Sequence, residues 1–414
     1  MPPSIPEREP HERRVSLADA RARILASVRP VADGERVALR AALGRVLAEE
    51  IVSPINVPAH TNAAVDGYAI AIADLARHTT FRVVGTAWAG RPRTGRVGSG
   101  ECVQVMTGAP LPPETDTVIA QELTQRRGEQ VHVDSTPERG QNVRAAGEDL
   151  AQGQVALQRG KRLLPAELGL LASLGFADVR VYRRPRVAYF CTGDELRSAG
   201  ESLGEGQIYD SNRYTLYGML ARLGVEMIDR GVVRDEPDAV RREIAAAANA
   251  DAVITTGGVS VGEADHVKAA VSALGAIDFS QVAMRPGRPF TFGRVGDVPF
   301  FGLPGNPVAV MVTFYQLVQP GLQYLMGEHA PAPPLTFRAR CASRLKTRLG
   351  RTEIIRGVLD RDDNGELIVR STGGQGSGIL RSMSVANCFI ILPPERGDAG
   401  PGDVVDVQPL LGPI

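Results

Sequence analysis

A chain of 414 residues is too long for one ordinary core and long enough for two to four domains. Its 47 Lys and Arg residues balance 47 Asp and Glu, so no global charge steers it to nucleic acid or to an anionic membrane surface. Aromatic content of 5% leaves little for base-stacking platforms, while 43% hydrophobic and 23% charged residues are those of a soluble globular protein. Residues 1–14 are rich in Pro, Arg and Glu without an apolar stretch, which predicts a disordered tail rather than a signal peptide. Cys102, Cys191, Cys341 and Cys388 lie far apart with no CxxC pair, which predicts reduced thiols and a cytoplasmic protein. Residues 15–51 carry helical spacing, with Ser16 as N-cap and a second helix expected over 39–49. Short β-like runs at 81–84, 101–106, 117–121 and 130–133, broken by Gly and Pro, predict a small β-rich domain, and a helix is expected over 165–174. From 186 to about 326 strands alternate with helices of ten residues or more, the pattern of a doubly wound, mostly parallel sheet. A Pro-rich link at 330–334 leads to short strands with Gly turns, read as a β-barrel or sandwich.

In open α/β sheets ligands bind outside the carboxyl ends of the strands, and three such ends carry unusual residues. Thr192-Gly193-Asp194-Glu195-Leu196 places adjacent carboxylates on a tight turn, which suits magnesium, although the same pair suits a helix N-cap and first turn. Thr256-Gly257-Gly258-Val259-Ser260-Val261-Gly262-Glu263-Ala264-Asp265 offers backbone N–H groups to an anion, a hydroxyl at Ser260, and acids at Glu263 and Asp265. Pro304-Gly305-Asn306-Pro307 is a rigid turn with Pro307 fit for a first helical position. Between them, Arg285-Pro286-Gly287-Arg288-Pro289 carries two guanidiniums able to grip a tetrahedral oxyanion. Each turn alone also admits a purely connective role. No GxxxxGK[ST] phosphate loop, early GxGxxG or HExxH helix is present.

Together with Val65-Asp66-Gly67-Tyr68-Ala69, Met106-Thr107-Gly108-Ala109-Pro110, Arg144-Ala145-Ala146-Gly147-Glu148-Asp149 and Ser173-Leu174-Gly175, these motifs resemble the molybdopterin molybdenumtransferases, the MoeA and gephyrin E-domain family. The match runs in order from about residue 15 to the C-terminus. It implies a discontinuous α/β first domain (15–60 with 141–182), an inserted β-rich domain (61–140), a MogA-like molybdopterin-binding α/β domain (183–329) and a β-barrel-like domain (330–414). It also implies a homodimer with its active site near the subunit interface, and magnesium-dependent insertion of molybdate into adenylylated molybdopterin with release of AMP. A MogA-type adenylyltransferase and molybdoenzyme-maturation proteins would be partners. By position, Asp66, Thr107, Asp149, Glu195, Asp235 and Asp265 would be catalytic. Gly257, Gly258, Ser260, Arg285, Arg288, Pro289, Pro304, Pro307, Arg351 and Ser377 would bind substrate, and Asp194, Glu195, Asp210 and Asp265 would hold the metal.

The chain departs from the family pattern where lysines give way to Arg285, Arg288 and Gln281, where Asp-Asn-Ser-Ala-Met reads Thr61-Asn62-Ala63-Ala64-Val65, and at Ala309, a Ser in some relatives. A gephyrin-type scaffold and a MogA-like adenylyltransferase are the alternatives. The retained acids weigh against the first and the flanking domains against the second.

Overall fold

A computed structural model describes residues 14–258, 266–329 and 334–410. They divide into two compact units, one combining the residues before Arg36 with Gly44–Ala48 and the chain from Arg180 onward, the other formed by Arg36–Leu43 and Glu49–Val179. Among the described residues no helix is long and apolar enough to cross a membrane.

The larger unit is built on a six-stranded sheet: β1 (Arg186–Thr192), β2 (Glu226–Val233), β3 (Ala252–Thr256), β4 (Gly275–Gln281), β5 (Pro289–Val295) and β6 (Val298–Leu303), in the order β2-β1-β3-β6-β5-β4. The first four in that order run parallel and the last two join antiparallel. Side chains of a strand alternate between faces. Thus Val187 and Tyr189 enter one core with Leu216, Leu220 and Leu322, while Ala188 and Phe190 enter another with Val240, Ile244 and Val271. Helices Ser211–Leu223 on one side and Pro237–Ala247 with His266–Leu274 on the other therefore cover both faces, and continuous apolar strands such as β1 follow from that double burial.

Helix Leu17–Ser27 is capped as the sequence predicts: Ser16 Oγ accepts from the Asp19 N–H at 3.0 Å. Its Ala20 and Ile24 belong to the first of those cores. The expected helix over 39–49 is not formed. A single 3₁₀ turn, Leu39–Ala42, is followed by Gly44 at φ 74°, and Val46 and Leu47 go extended, the Val46 carbonyl accepting from the Tyr182 N–H. Glycine in the left-handed region ends the helical run, and the apolar residues after it do better on a strand partner than on a helix face.

The helical stretch after β6 runs from Pro307 to Leu325 but holds a π-helical turn over Phe314–Val318. Pro320 has no N–H to give the Gln316 carbonyl four residues back; Arg21 Nε donates to that oxygen instead at 2.8 Å.

The C-terminal segment closes a five-stranded barrel in which Thr352–Arg361, Leu367–Ser371, Phe337–Cys341, Val404–Pro409 and Cys388–Leu392 follow one another and the last pairs back to the first. The smaller unit carries a six-stranded sheet in the order Thr117–Ala120, Gly67–Ile70, Glu101–Val105, Thr80–Ala87, Gln130–Val133, Thr124–Arg127, with an apolar cluster on either face. All four cysteines are buried and unpaired.

Candidate functional site

Because β1 pairs with β3 and β3 with β6 in parallel, the three turns singled out in the sequence leave the same edge of the sheet side by side. Gly257 and Gly258, at φ 86° and 63°, fold back over the end of β1; a Cβ on Gly257 would lie 2.3 Å from the Thr192 carbonyl oxygen. No other residue type permits that approach. The Gly257 N–H donates to the Leu303 carbonyl, and Asn212 Nδ2 donates to the Gly305 carbonyl at 2.7 Å, tying the second and third turns together. Asn212 carried no signal in the sequence beyond its place in a helix's first turn.

The acids of this edge differ in setting. Asp194 and Glu195 are exposed, and Asp194 Oδ1 accepts from the Asp235 N–H at 3.3 Å. Asp210 is 2% exposed and caps helix Ser211–Leu223 by accepting from the Arg213 N–H at 3.1 Å. Its Oδ2, like Asp235 Oδ1, is buried without a hydrogen-bond partner. Buried carboxylate oxygens left open in this way fit a hard divalent cation. Among the described residues no three His, Cys, Asp or Glu side chains gather as a metal cluster; Ser260 and Asp265 lie outside the described residues.

The arginine turn reaches the barrel. Met284–Arg285 pairs in parallel with Thr352–Glu353, so Arg285 stands opposite Glu353 and beside Arg351. The result is a pocket of about 260 Å³ that brings together six residues predicted from sequence, Arg285, Arg288, Pro289, Pro304, Arg351 and Ser377. Asn306 of the Pro-bounded turn and Ala309 also line it, as does Gln375, which the sequence did not mark. Gly257, Gly258 and Pro307 do not line this pocket; Pro307 opens the helix beside it, where the Val308 N–H donates to the Ser377 carbonyl. Arg351 is aimed by Glu353, whose Oε1 accepts from its Nε at 2.8 Å and lies 2.7 Å from its Nη2. Arg288 Nε donates to Gln281 Oε1 at 3.1 Å. Among the described residues no carboxylate pairs with Arg285 or Arg288, so the pocket is electropositive and shaped for an oxyanion.

Behind it sits Arg356, 1% exposed, whose guanidinium donates to Ser382 Oγ and to the carbonyls of Gly374, Gln375 and Gly376. Burial, with the positive charge of Arg285 adding to it, pushes its pKa down to about 10. Arg356 fixes the loop that presents Ser377. Flanked by Ile354, Ile355 and Gly357 on a strand, nothing in the sequence distinguished it from a surface arginine.

In the smaller unit Asp66 and Thr107 meet: Asp66 Oδ1 accepts from the Thr107 N–H at 2.7 Å and from Thr107 Oγ1 at 2.8 Å. The backbone bond, then the hydroxyl bond, hold the Asp66 carboxyl below the ordinary carboxylate range. Gly67 beside it is required, since a Cβ there would lie 2.0 Å from the Ile119 carbonyl oxygen. Asp149 is exposed, with its N–H on the Val57 carbonyl; among the described residues its carboxylate makes no hydrogen bond to Asp66 or Thr107.

A doubly wound sheet with Gly-rich turns at one edge, joined to a barrel through an arginine-lined pocket, defines a multidomain α/β protein of the class whose sheets offer ligand sites at the carboxyl ends of their strands. Residues 15–175 match the MoeA N-terminal region (domain I and II), residues 188–324 the probable molybdopterin binding domain, and residues 338–410 the MoeA C-terminal region (domain IV). The chain is 42% identical to a molybdopterin molybdenumtransferase of Haemophilus influenzae, over 96% of this chain and 100% of that one. It is 35% identical to the molybdopterin molybdenumtransferase of Bacillus subtilis, over 87% and 86% of the two chains. A crystal structure of the molybdopterin biosynthesis moeA protein from Pyrococcus horikoshii OT3 superposes with a TM-score of 0.83 at 30% identity, covering 96% of this chain and all of that one. The chain belongs to the molybdopterin molybdenumtransferase family.

Proposed function

We propose that this chain inserts molybdate into adenylylated molybdopterin with release of AMP, in a magnesium-dependent step, and that it does so in the cytoplasm as a homodimer with its site near the subunit interface. The convergence of Arg285, Arg288, Arg351 and Ser377 on one pocket carries this reading. Guanidiniums in fixed orientation bind a tetrahedral oxyanion in bidentate fashion and screen its charge from the anionic pterin phosphate. The Gly257-Gly258 turn lets the backbone approach that phosphate closely, with Ser260, Pro304 and Pro307 bounding the substrate. Asp66, held ionised by Thr107, and Asp149 would be the acid–base groups of the smaller unit, and Glu195, Asp235 and Asp265 those of the larger. Asp194, Glu195, Asp210 and Asp265 would hold magnesium, which supplies charge neutralisation at the bond to AMP. Buried thiols support a reducing compartment. An adenylyltransferase of the MogA type would provide the substrate, and molybdoenzyme-maturation proteins would receive the product.

The test mixes purified protein with adenylylated molybdopterin, magnesium and molybdate and follows AMP and active cofactor. Molybdate-dependent AMP release that is lost in Arg285→Ala supports the reading. A folded protein that binds the pterin but releases no AMP refutes it in favour of a scaffold role.

A further inference from the structure

Beside the oxyanion pocket lies a second concavity of about 180 Å³, lined by Arg14, Val282, Ala283, Met284, Arg288, Arg348, Leu349, Gly350 and Arg351. Four of its nine lining residues are arginines and none is acidic. It shares Met284, Arg288 and Arg351 with the inner pocket, so the two are contiguous. Glu353 answers Arg351 from outside the lining, and among the described residues no carboxylate pairs with Arg14, Arg288 or Arg348.

The cluster is built, not incidental. The Val15 N–H donates to the Gln281 carbonyl at 3.1 Å and the Ala283 N–H donates to the Val15 carbonyl at 2.8 Å, which fixes Arg14 against the arginine turn. The Thr352 N–H donates to the Ala283 carbonyl at 2.9 Å, bringing in the barrel strand after Arg351. The loop carrying Arg348 is held by the Thr347 N–H on Asp398 Oδ1 at 2.7 Å and the Gly350 N–H on the Pro394 carbonyl at 2.8 Å. Three separate stretches of chain thus present like charges to one hollow, and an anion held there would offset their mutual repulsion.

We propose that this hollow is an outer capture site for a free tetrahedral oxyanion, with Arg14 and Arg348 as its own ligands and Arg288 and Arg351 as the groups that pass the ion inward. The proposal rests on reading the inner pocket as an oxyanion site. Charged groups at the mouth of a cleft raise the local concentration of an oppositely charged ion and its rate of arrival, and the effect is strongest at low ionic strength.

The test equilibrates full-length protein with molybdate alone and counts bound molybdenum per chain by mass spectrometry. Wild type, Arg14→Ala/Arg348→Ala and Arg285→Ala/Ser377→Ala are compared. Two ions per wild-type chain, one in each double variant, and two again in Arg14→Lys/Arg348→Lys are expected. At low salt the outer variant should also take up molybdate about tenfold more slowly. Equal binding by wild type and the Arg14/Arg348 variant overturns the outer site and leaves the inner one standing. Loss in that variant with full binding by Arg285→Ala/Ser377→Ala overturns the inner reading instead. Sulfate should displace the outer ion; displacement by phenyl phosphate and not by sulfate would assign the hollow to a phosphate ester and overturn the proposal.

Discussion

Arg288 illustrates how one exchange calls for another. The family resemblance implies lysines at 281, 285 and 288; here Gln281 accepts from Arg288 Nε, and a lysine at 281 would set a second cation against that guanidinium. The amide keeps the fork oriented. Arg351→Ala removes a charged donor set from the pocket and should raise the molybdate concentration needed for half-maximal AMP release about 10- to 100-fold; Gln281→Ala, which only loosens Arg288, should raise it about fivefold. Equal effects would show that Gln281 binds the ion itself. Asp66 allows a separate test, because Thr107→Val deletes the hydroxyl and keeps the backbone N–H. Its pKa should rise only part of the way to the ordinary value, read by carbon-13 NMR titration, since the stronger of the two bonds survives. Arg285 and Arg288 were visible in the sequence because arginines in a Pro- and Gly-bounded turn are unusual, whereas Arg351 was reached only through the family resemblance. Arg356, Gln375 and Asn212 were not visible, because what sets them apart is burial and a partner distant in the chain.

At the level of elements, apolar periodicity located β1, β3, β6 and the helices between them. It did not reveal β4, whose Gly275-Ala276-Ile277-Asp278 start is weakly apolar and lies on an antiparallel edge. The false helix over 39–49 has the same origin: spacing describes a face, and Gly44 decides whether the face forms. The π turn shows tertiary structure repairing a local defect. Arg21→Met keeps the aliphatic stem but leaves the Gln316 carbonyl without a donor, which should cost about 2 kcal/mol in denaturant unfolding with the denaturant slope unchanged. At the opposite edge of the sheet from the site, Asp251 takes two bonds from Arg183, at 2.6 and 2.7 Å, and one from the Arg186 N–H at 2.7 Å. Burial alone would raise its carboxyl, but these donors outweigh burial and hold it below the usual range. The stability it contributes is therefore complete above the unfolded pKa of about 3.9 and is lost as pH falls through the lower folded value. Asp251→Asn should cost about 2 kcal/mol at neutral pH and flatten the acid limb of the stability curve.

For the whole molecule, the division into two units with separate cores has a thermodynamic consequence. The smaller unit has its own apolar clusters around Val103 and Phe81, and the larger is built on the sheet and the barrel. A chain so divided need not unfold in one step, and calorimetry should show two transitions. Every residue lining the inner oxyanion pocket belongs to the larger unit. On the proposed function molybdate binds the native form of that unit and not its unfolded form, so a hundredfold excess over Kd would stabilise it by about 2.7 kcal/mol. For a body of more than 200 residues that raises one transition by several degrees and leaves the other in place. Arg285→Ala should abolish the shift without moving either transition in molybdate-free buffer, since Arg285 is exposed and makes no ion pair among the described residues. If both transitions rise together, the two units unfold as one cooperative body and the separate-core account is wrong. If neither rises while AMP release still responds to molybdate, the ion is held only once the pterin is bound.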